Sequence, residues 1–340
     1  MRNGRLGVAI HGAGWVAGAH AASWLKNPHV EVVSISDLHV ERARALAERH
    51  RLDCALRDDY DAVLGDERVD VVDVCGPSYV HAEQGIAAAR AGKHVLVEKP
   101  MALSTDENRA LRDAVAEAGV KSLASFVLRW NPAVETIKSL VAAGAIGELF
   151  YLEMDYWHGL GPAHHAWDLH SRKKTGGSAM LLGGCHAVDA LRWLAGDEVV
   201  EVSAFSNNQK GLFEYDANVV AVMKFRSGIL GKTAALFDCQ MPYQFNMDLA
   251  GTEGTIRDNR VWSKKLFPGQ TSWTTFPSIL PDSGDVHHHP FDAEIDHFVD
   301  CIRDDRESHC NVADAYRTHA LCLAIDRSIE RGGERVAVDG

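Results

Sequence analysis

Several things are missing from this 340-residue chain, and each absence narrows what it does. No apolar run is long enough to span a bilayer, which excludes a helical membrane protein and a membrane partner. An excess of positive charge is lacking too: 35 Lys and Arg stand against 47 Asp and Glu, a net charge of −12. Such a chain repels phosphate backbones, so nucleic acid is not an expected partner. CxxC pairs do not occur, and the seven cysteines (Cys54, Cys75, Cys185, Cys239, Cys301, Cys310 and Cys322) are odd in number and scattered. That argues against a disulfide framework or a zinc–cysteine site and makes most of them small buried hydrophobes. Met1-Arg2-Asn3 leads almost directly into Leu6–Ile10 with no signal-peptide pattern, so a cytoplasmic location is expected. Internal repeats and low-complexity segments are absent as well. What is present, 46% hydrophobic and 24% charged residues, is ordinary globular material and enough for two domains.

The first part of the chain alternates strand and helix. Leu6–His11, Val30–Ser36, Val69–Cys75, His94–Val97 and Lys121–Phe126 read as strands. Helical stretches follow the glycine-rich turn after His11 and cover Val40–His50 and His81–Ala91, the last stopped by Gly92. Ser104 and Glu107 have capping-box spacing, and a helix is predicted from there to Gly119. Strands separated by helices imply βαβ units and a parallel sheet. The second part is strand-rich: Leu149–Tyr156, Val199–Ser206, Val219–Phe225, Ile229–Phe237 and Phe245–Ala250, with a glycine-turn hairpin at Phe225–Ile229. Its candidate helices are Ala187–Leu194, Phe291–Ile302 and Ala313–Ile329. The predicted fold is α/β: a doubly wound parallel Rossmann sheet in residues 1–125, then residues 126–340 as a substrate-binding and oligomerisation domain with a large, open, mostly antiparallel sheet. The C-terminal helix packs back on either domain in this reading.

Gly12-Ala13-Gly14-Trp15-Val16-Ala17 follows the first strand and opens a helix, a GxGxxA form of the dinucleotide fingerprint. The first glycine makes the tight turn, the second lets backbone approach a pyrophosphate, and Ala17 permits close helix–strand packing. The helix N-terminus offers N–H groups to the phosphates. Gly12, Gly14, Trp15 and Val16 are therefore candidate cofactor contacts. Asp37, at the end of the second strand, suits ribose hydroxyls and repels a 2′-phosphate, which favours NAD over NADP; its other reading is a helix cap. Arg42 and Arg44 nearby leave room for NADP.

Gly76-Pro77-Ser78-Tyr79-Val80-His81 and Gly92–Pro100 lie at the carboxyl ends of the next strands, where open α/β sheets place ligands. A lysine there holds a substrate hydroxyl or carbonyl and assists proton movement, whereas an isolated one is a solvated turn residue. Together with Pro77–His81, the GKHVLVEKP string at Gly92–Pro100, Arg129-Trp130-Asn131-Pro132, Gly144–Gly147, Gly176-Gly177 leading to His186 and Asp189, and Gly251–Thr255, the chain resembles the glucose–fructose oxidoreductase / inositol dehydrogenase family over essentially its whole length.

The resemblance implies NAD-dependent hydride transfer at a carbon of a sugar, glycoside or cyclitol, in a homodimer or homotetramer assembled through the C-terminal sheet. Lys99 would be the catalytic lysine, Glu98 would contact the nicotinamide ribose, and His81, with Gly76 and Pro77, would sit by the cofactor. A cis bond before Pro100 is common in the family. His186 matches the family's second catalytic element, but Leu182 stands four residues earlier where an aspartate is usual. His186 still serves as a general base. Asp189, three residues on, either orients His186 or forms a salt bridge. The departure at Leu182 keeps a redox-neutral glycosidase or lyase acting through a transient keto-sugar as the alternative, and a non-catalytic NAD-binding regulator is the third class.

The segment Tyr156–His170 holds Trp157, His158, His164, His165, Trp167 and His170 and is predicted to line the substrate cleft with Arg129, Asp189 and His186; His287–His289 is a second histidine group. Metal-ligand spacings do not match a standard pattern, so no metal is expected and the imidazoles are read as partners for sugar hydroxyls.

Overall fold

The computed structural model describes residues 4–164, 166–278 and 289–338, so His165, His287 and His288 lie outside the described residues. The chain divides into two compact units. The first combines residues 1–126 with Phe291–Tyr316, the second Val127–Pro290 with residues 317–340.

The first unit contains β1 (Leu6–His11), α1 (Trp15–Trp24), β2 (Val30–Ser36), α2 (Val40–His50), β3 (Ala55–Arg57), α3 (Tyr60–Leu64), β4 (Val71–Val74), α4 (His81–Arg90), β5 (His94–Val97), α5 (Thr105–Ala118) and β6 (Ser122–Ala124). The strands pair in parallel in the order β3-β2-β1-β4-β5-β6. Every residue of β1 and β4 is buried, as expected for strands covered on both faces. The chain reverses winding direction between β1 and β4, which is where such sheets leave a crevice for a ligand. The capping box forms as the sequence predicts: Ser104 Oγ accepts from Glu107 N at 3.2 Å, and the Glu107 carboxylate accepts from Leu103 N. Gly119, at φ +64°, ends α5. The helix Phe291–Arg303 joins this unit and packs on α1.

The second unit contains α6 (Pro132–Ala142), β7 (Leu149–Trp157), α7 (Trp167–His170), α8 (Lys173–Gly176), α9 (Cys185–Ala195), β8 (Val199–Asn207), β9 (Asn218–Phe225), β10 (Leu230–Leu236), β11 (Gln244–Gly251), β12 (Gly254–Arg257), β13 (Arg260–Ser263), β14 (Thr274–Thr275) and β15 (Val336–Ala337). Its strands form one sheet in the order β14-β13-β12-β11-β7-β10-β9-β8-β15, in which, among the described residues, only the β7–β10 pair is parallel. Period-two alternation separates its faces. Leu152, Met154 and Tyr156 are buried on the side against which α9 packs, whereas Val220, Val222 and Phe205 are exposed on the other. The Phe225–Ile229 hairpin is present: Phe225 N–H donates to Ile229 O at 2.9 Å, with Gly228 at φ +96°.

Candidate functional site

In the first unit the glycine-rich turn sits at the β1/β4 reversal. Gly12 has φ +96°, and a Cβ there would lie 2.5 Å from Gly76 N, so this glycine is required by the fold itself. Gly14 is different. Its backbone is extended, and a Cβ would meet no described atom within 4 Å. Gly14 is the N-cap of α1, whose first turn has no acidic residue and no side-chain cap among the described residues. The helix N-terminus is thus left for an anion from outside the chain. Asp37 holds this turn: its Oδ2 accepts from Ala13 N and its Oδ1 from His39 N, both at 2.9 Å. Each oxygen keeps a further lone pair for a ribose hydroxyl. Trp15 is exposed beside the turn.

Across the reversal, Lys99 is half-buried just past β5, before a cis peptide to Pro100. Glu98 is buried; its Oε2 accepts the Lys99 backbone N–H at 3.0 Å and its Oε1 lies 3.1 Å from His20 Nε2. His81 is buried with Nδ1 at 2.8 Å from Pro100 O and Nε2 at 2.7 Å from Gly76 O. Its ring lies between the turn after β4 and the turn after β5 and, as a neutral ring, donates to one of the two carbonyls, so it braces the backbone carrying Gly76 and Lys99. Burial pushes its pKa down while the two carbonyl oxygens oppose that.

In the second unit His186 occupies the first turn of α9 and is buried. A π-helical turn, Met180–Gly184, leads into it and contains Leu182. Such turns are uncommon and recur at functional sites. Glycines let this one lie on the sheet: a Cβ at Gly183 would be 2.5 Å from Tyr156 Cε1, and one at Gly184 would be 3.0 Å from Ala235 Cβ. The His186 ring stacks on Tyr156 at 6.1 Å and lies 5.8 Å from His289. Tyr156 also donates to or accepts from His158 Nδ1 at 3.1 Å, and His158, His164, His170 and Tyr243 continue the ring cluster.

Three sequence-based assignments change here. Trp157 follows Tyr156 on β7, so strand alternation turns it to the opposite sheet face from His186, and Tyr156 and Tyr243 take its place beside the histidines. Asp189 does not stand as a partner for His186, nor is the Arg129 head open to a substrate. Arg129 forms a buried bidentate pair with Asp189, at 2.7 and 2.6 Å, and Thr318 Oγ1 donates to Asp189 Oδ1 at 2.9 Å. Trp167 packs edge-on against Phe213 with ring centres 4.9 Å apart. Neither Tyr243 nor His20 carries a distinct signal in the sequence, whereas Asp73 stands out as a charge inside the valines of β4.

Family models place these two geometries. Residues 6–126 match the oxidoreductase family with NAD-binding Rossmann fold, and residues 134–257 match the GFO/IDH/MocA C-terminal domain. The chain belongs to the GFO/IDH/MocA family. It is 26% identical to scyllo-inositol 2-dehydrogenase (NAD(+)) of Bacillus subtilis over 330 residues, covering 95% of this chain and 94% of the relative. It is 30% identical to 1,5-anhydro-D-fructose reductase of Ensifer adhaerens over 265 residues, 78% of this chain and 77% of that one. Its fold is that of levoglucosan dehydrogenase solved with NADH, at a TM-score of 0.88 and 24% identity over 98% of this chain and 99% of that one.

This GFO/IDH/MocA member has an NAD-binding Rossmann domain, and its residues fit the cofactor on structural grounds. The open space over Gly14, the uncapped N-terminus of α1 and the anchored Asp37 carboxylate suit a pyrophosphate and a ribose. Metal-ligand spacing occurs among the described residues only at buried His20, Asp73 and Cys75, outside the histidine-rich segment. No helix among the described residues is long and apolar enough to cross a membrane.

Proposed function

We propose that this family member is an NAD-dependent dehydrogenase that oxidises a secondary hydroxyl on a ring carbon of a sugar, glycoside or cyclitol. The observation that carries the reading is Lys99, half-buried at the carboxyl end of β5 with its backbone held by Glu98, in the same sheet as the open Gly14 turn. The inositol and anhydrofructose enzymes named above act, by their names, on polyhydroxylated rings, which supports the substrate class. NAD is preferred to NADP because the Asp37 carboxylate lies just past the end of β2, held on the glycine turn, where it would repel a 2′-phosphate.

Bound at the Gly14 turn and Asp37, NAD would supply the acceptor for the hydride of the carbinol carbon. His186 accepts the proton of the substrate hydroxyl. The Lys99 ammonium donates a hydrogen bond to that oxygen as negative charge develops, stabilising it without giving up its own proton. Substrate and NAD become the ketone, NADH and a proton. Glu98 and His81 hold the backbone on either side of Lys99, and His186 lies buried against the Tyr156 ring.

Leu182 favours a second reading, since a usual acid is absent from the turn before His186. In that case the chain cleaves a glycosidic bond through a transient keto-sugar and returns the hydride. We also place the enzyme in the cytoplasm as a homodimer or homotetramer, with the exposed Phe205, Val220, Val222 and Leu230 face of the sheet as the contact. Light scattering on the purified chain checks the assembly.

The deciding experiment is a panel of cyclitols, sugars and glycosides incubated with NAD or NADP, followed at the NADH absorbance and by product chromatography. NADH formed in proportion to a keto product supports the dehydrogenase. Bond cleavage without net NADH supports the second reading, and equal or tighter binding of NADP overturns the cofactor preference.

A further inference from the structure

His20 lies buried in the first unit between two carboxylates. Its Nδ1 is 3.0 Å from both oxygens of Asp73, and its Nε2 is 3.1 Å from Glu98 Oε1. Trp24 Nε1 donates to Asp73 Oδ2 at 2.7 Å, and the Cys75 thiol donates to Asp73 Oδ1 at 3.2 Å. From the helix Phe291–Arg303, the Phe291 ring centre lies 4.9 Å from the imidazole, and Glu294 accepts from Ser125 Oγ at 3.1 Å.

A neutral imidazole has a single N–H. Here an acceptor faces each nitrogen, and both contacts are hydrogen bonds only when the ring carries both protons. Burial works against that charge, but the Asp73 charge and hydrogen bond outweigh it and raise His20 well above its ordinary value. Burial would likewise raise Glu98, yet the hydrogen bond and charge of His20 bring it down to about 2. Burial, with Glu98 and Asp73 close by, pushes Glu294 well up, so this further carboxyl stays protonated. The cluster is an Asp73 carboxylate, a His20 imidazolium and a Glu98 carboxylate in line.

The ligating atoms of His20, Asp73 and Cys75 lie within 4.8 Å of one another, a spacing that would admit a metal ion. Their environment does not: burial and Asp73 push the Cys75 thiol up, keeping it protonated, and Trp24 already donates to Asp73. Hydrogen bonds fill the positions a metal would use.

We propose that His20 is a positioning residue for Lys99. Asp73 orients the imidazolium, the imidazolium fixes Glu98 Oε1, and Glu98 Oε2 then takes the Lys99 backbone N–H at 3.0 Å. Because His20 rides on α1, the helix that starts at Gly14, the same link ties the cofactor turn to the lysine. The purpose of this link rests on the reading of Lys99 as the group that stabilises the substrate oxygen.

The test uses full-length wild type, His20→Gln and Asp73→Asn, each with NAD alone and without it. Nitrogen-15 NMR of the histidine rings is expected to show His20 doubly protonated at pH 7 in the wild type and titrating lower in Asp73→Asn. A His20 ring neutral at pH 7 in the wild type overturns the inference. Hydrogen exchange at the Lys99 amide is expected to quicken ~10- to 100-fold in His20→Gln, with exchange in β1 and β4 and the affinity for NAD changed less than about threefold. Uniformly faster exchange shows a merely structural role and also overturns it, as does unchanged exchange at Lys99. With a substrate from the panel, kcat is expected to fall about as far as the protection while KM holds. Lys99→Ala separates the two readings: full turnover in that variant removes the catalytic role of Lys99, while the exchange result still decides what His20 holds.

Discussion

The guanidinium of Arg129 and the carboxylate of Asp189 meet in two hydrogen bonds, of 2.7 and 2.6 Å, with both side chains buried. In the sequence both are candidates for the substrate site, with a salt bridge as the other reading for Asp189. Together they form a closed pair inside the second unit, completed by Thr318. Removing one partner leaves a buried charge uncompensated, so Asp189→Ala is expected to lose about 3–5 kcal/mol of stability. Replacing both, as Arg129→Met with Asp189→Leu, should recover much of that. Chemical denaturation of the single and double variants measures it; a single variant of unchanged stability would show that the pair is not structural.

Gly12 and Gly14 differ by what surrounds them, and substitutions should separate them. Gly12→Val forces a side chain onto Gly76 at positive φ and is expected to lower the melting temperature or prevent folding. At Gly14 a Cβ meets no described atom within 4 Å, so in Gly14→Val the fold should persist while NAD binding weakens at least ~10-fold by obstruction of the helix N-terminus. Calorimetry and fluorescence quenching by NAD read the two effects.

Lys99→Ala and His186→Ala should each reduce turnover by ~100-fold or more while leaving NAD affinity within a few-fold, because neither side chain closes the glycine turn. Stopped-flow absorbance with the best substrate of the panel measures the first effect, and equilibrium titration the second. Near-normal turnover in either variant removes that residue from the mechanism.

Asp326 gives a pH dependence with a definite sign. Burial raises its carboxyl to about 7, although Ser178 Oγ donates to its Oδ2 at 2.7 Å. The folded state therefore holds this proton more tightly than the unfolded chain. Stability from this group is fully present below the unfolded value near 4 and declines as pH rises to about 7, by on the order of 4 kcal/mol in all. Asp326→Asn is expected to raise the melting temperature above pH 7 and to flatten its dependence between pH 4 and 7. A scan of melting temperature against pH in both proteins checks this.

Most of the scaffold was legible in the chain. The buried runs of β1, β2 and β5 and the Ser104–Glu107 box fixed their elements to within a residue, since period and capping are local signals. The alternating strands of the second unit were legible for the same reason. Short β3 and α3 escaped because three to five residues carry too little periodicity. α6 escaped despite a plain start, with Asn131 capping Ala133 N and Pro132 in the first turn. The GxGxxA turn located the cofactor end of the site, but pairings distant in sequence did not show: Asp189 is 60 residues from Arg129, and His20 is 53 from Asp73 and 78 from Glu98. Spacing along one helix suggested His186 for Asp189, and only the fold reveals the stronger partner.

The turn Met180–Gly184 winds wider than an ordinary helix and leads into α9 and His186. The wide turn can absorb a lost residue by relaxing to regular winding, but deleting Cys185, where regular winding resumes, would rotate His186 by about 100° about the axis of α9. His186 would leave the Tyr156 ring while the hydrophobic helix behind it still found a sheet to cover. Chain length in this segment is thus as much a part of the site as any side chain, and functional members of this lineage should tolerate exchanges of residue here far better than insertions or deletions.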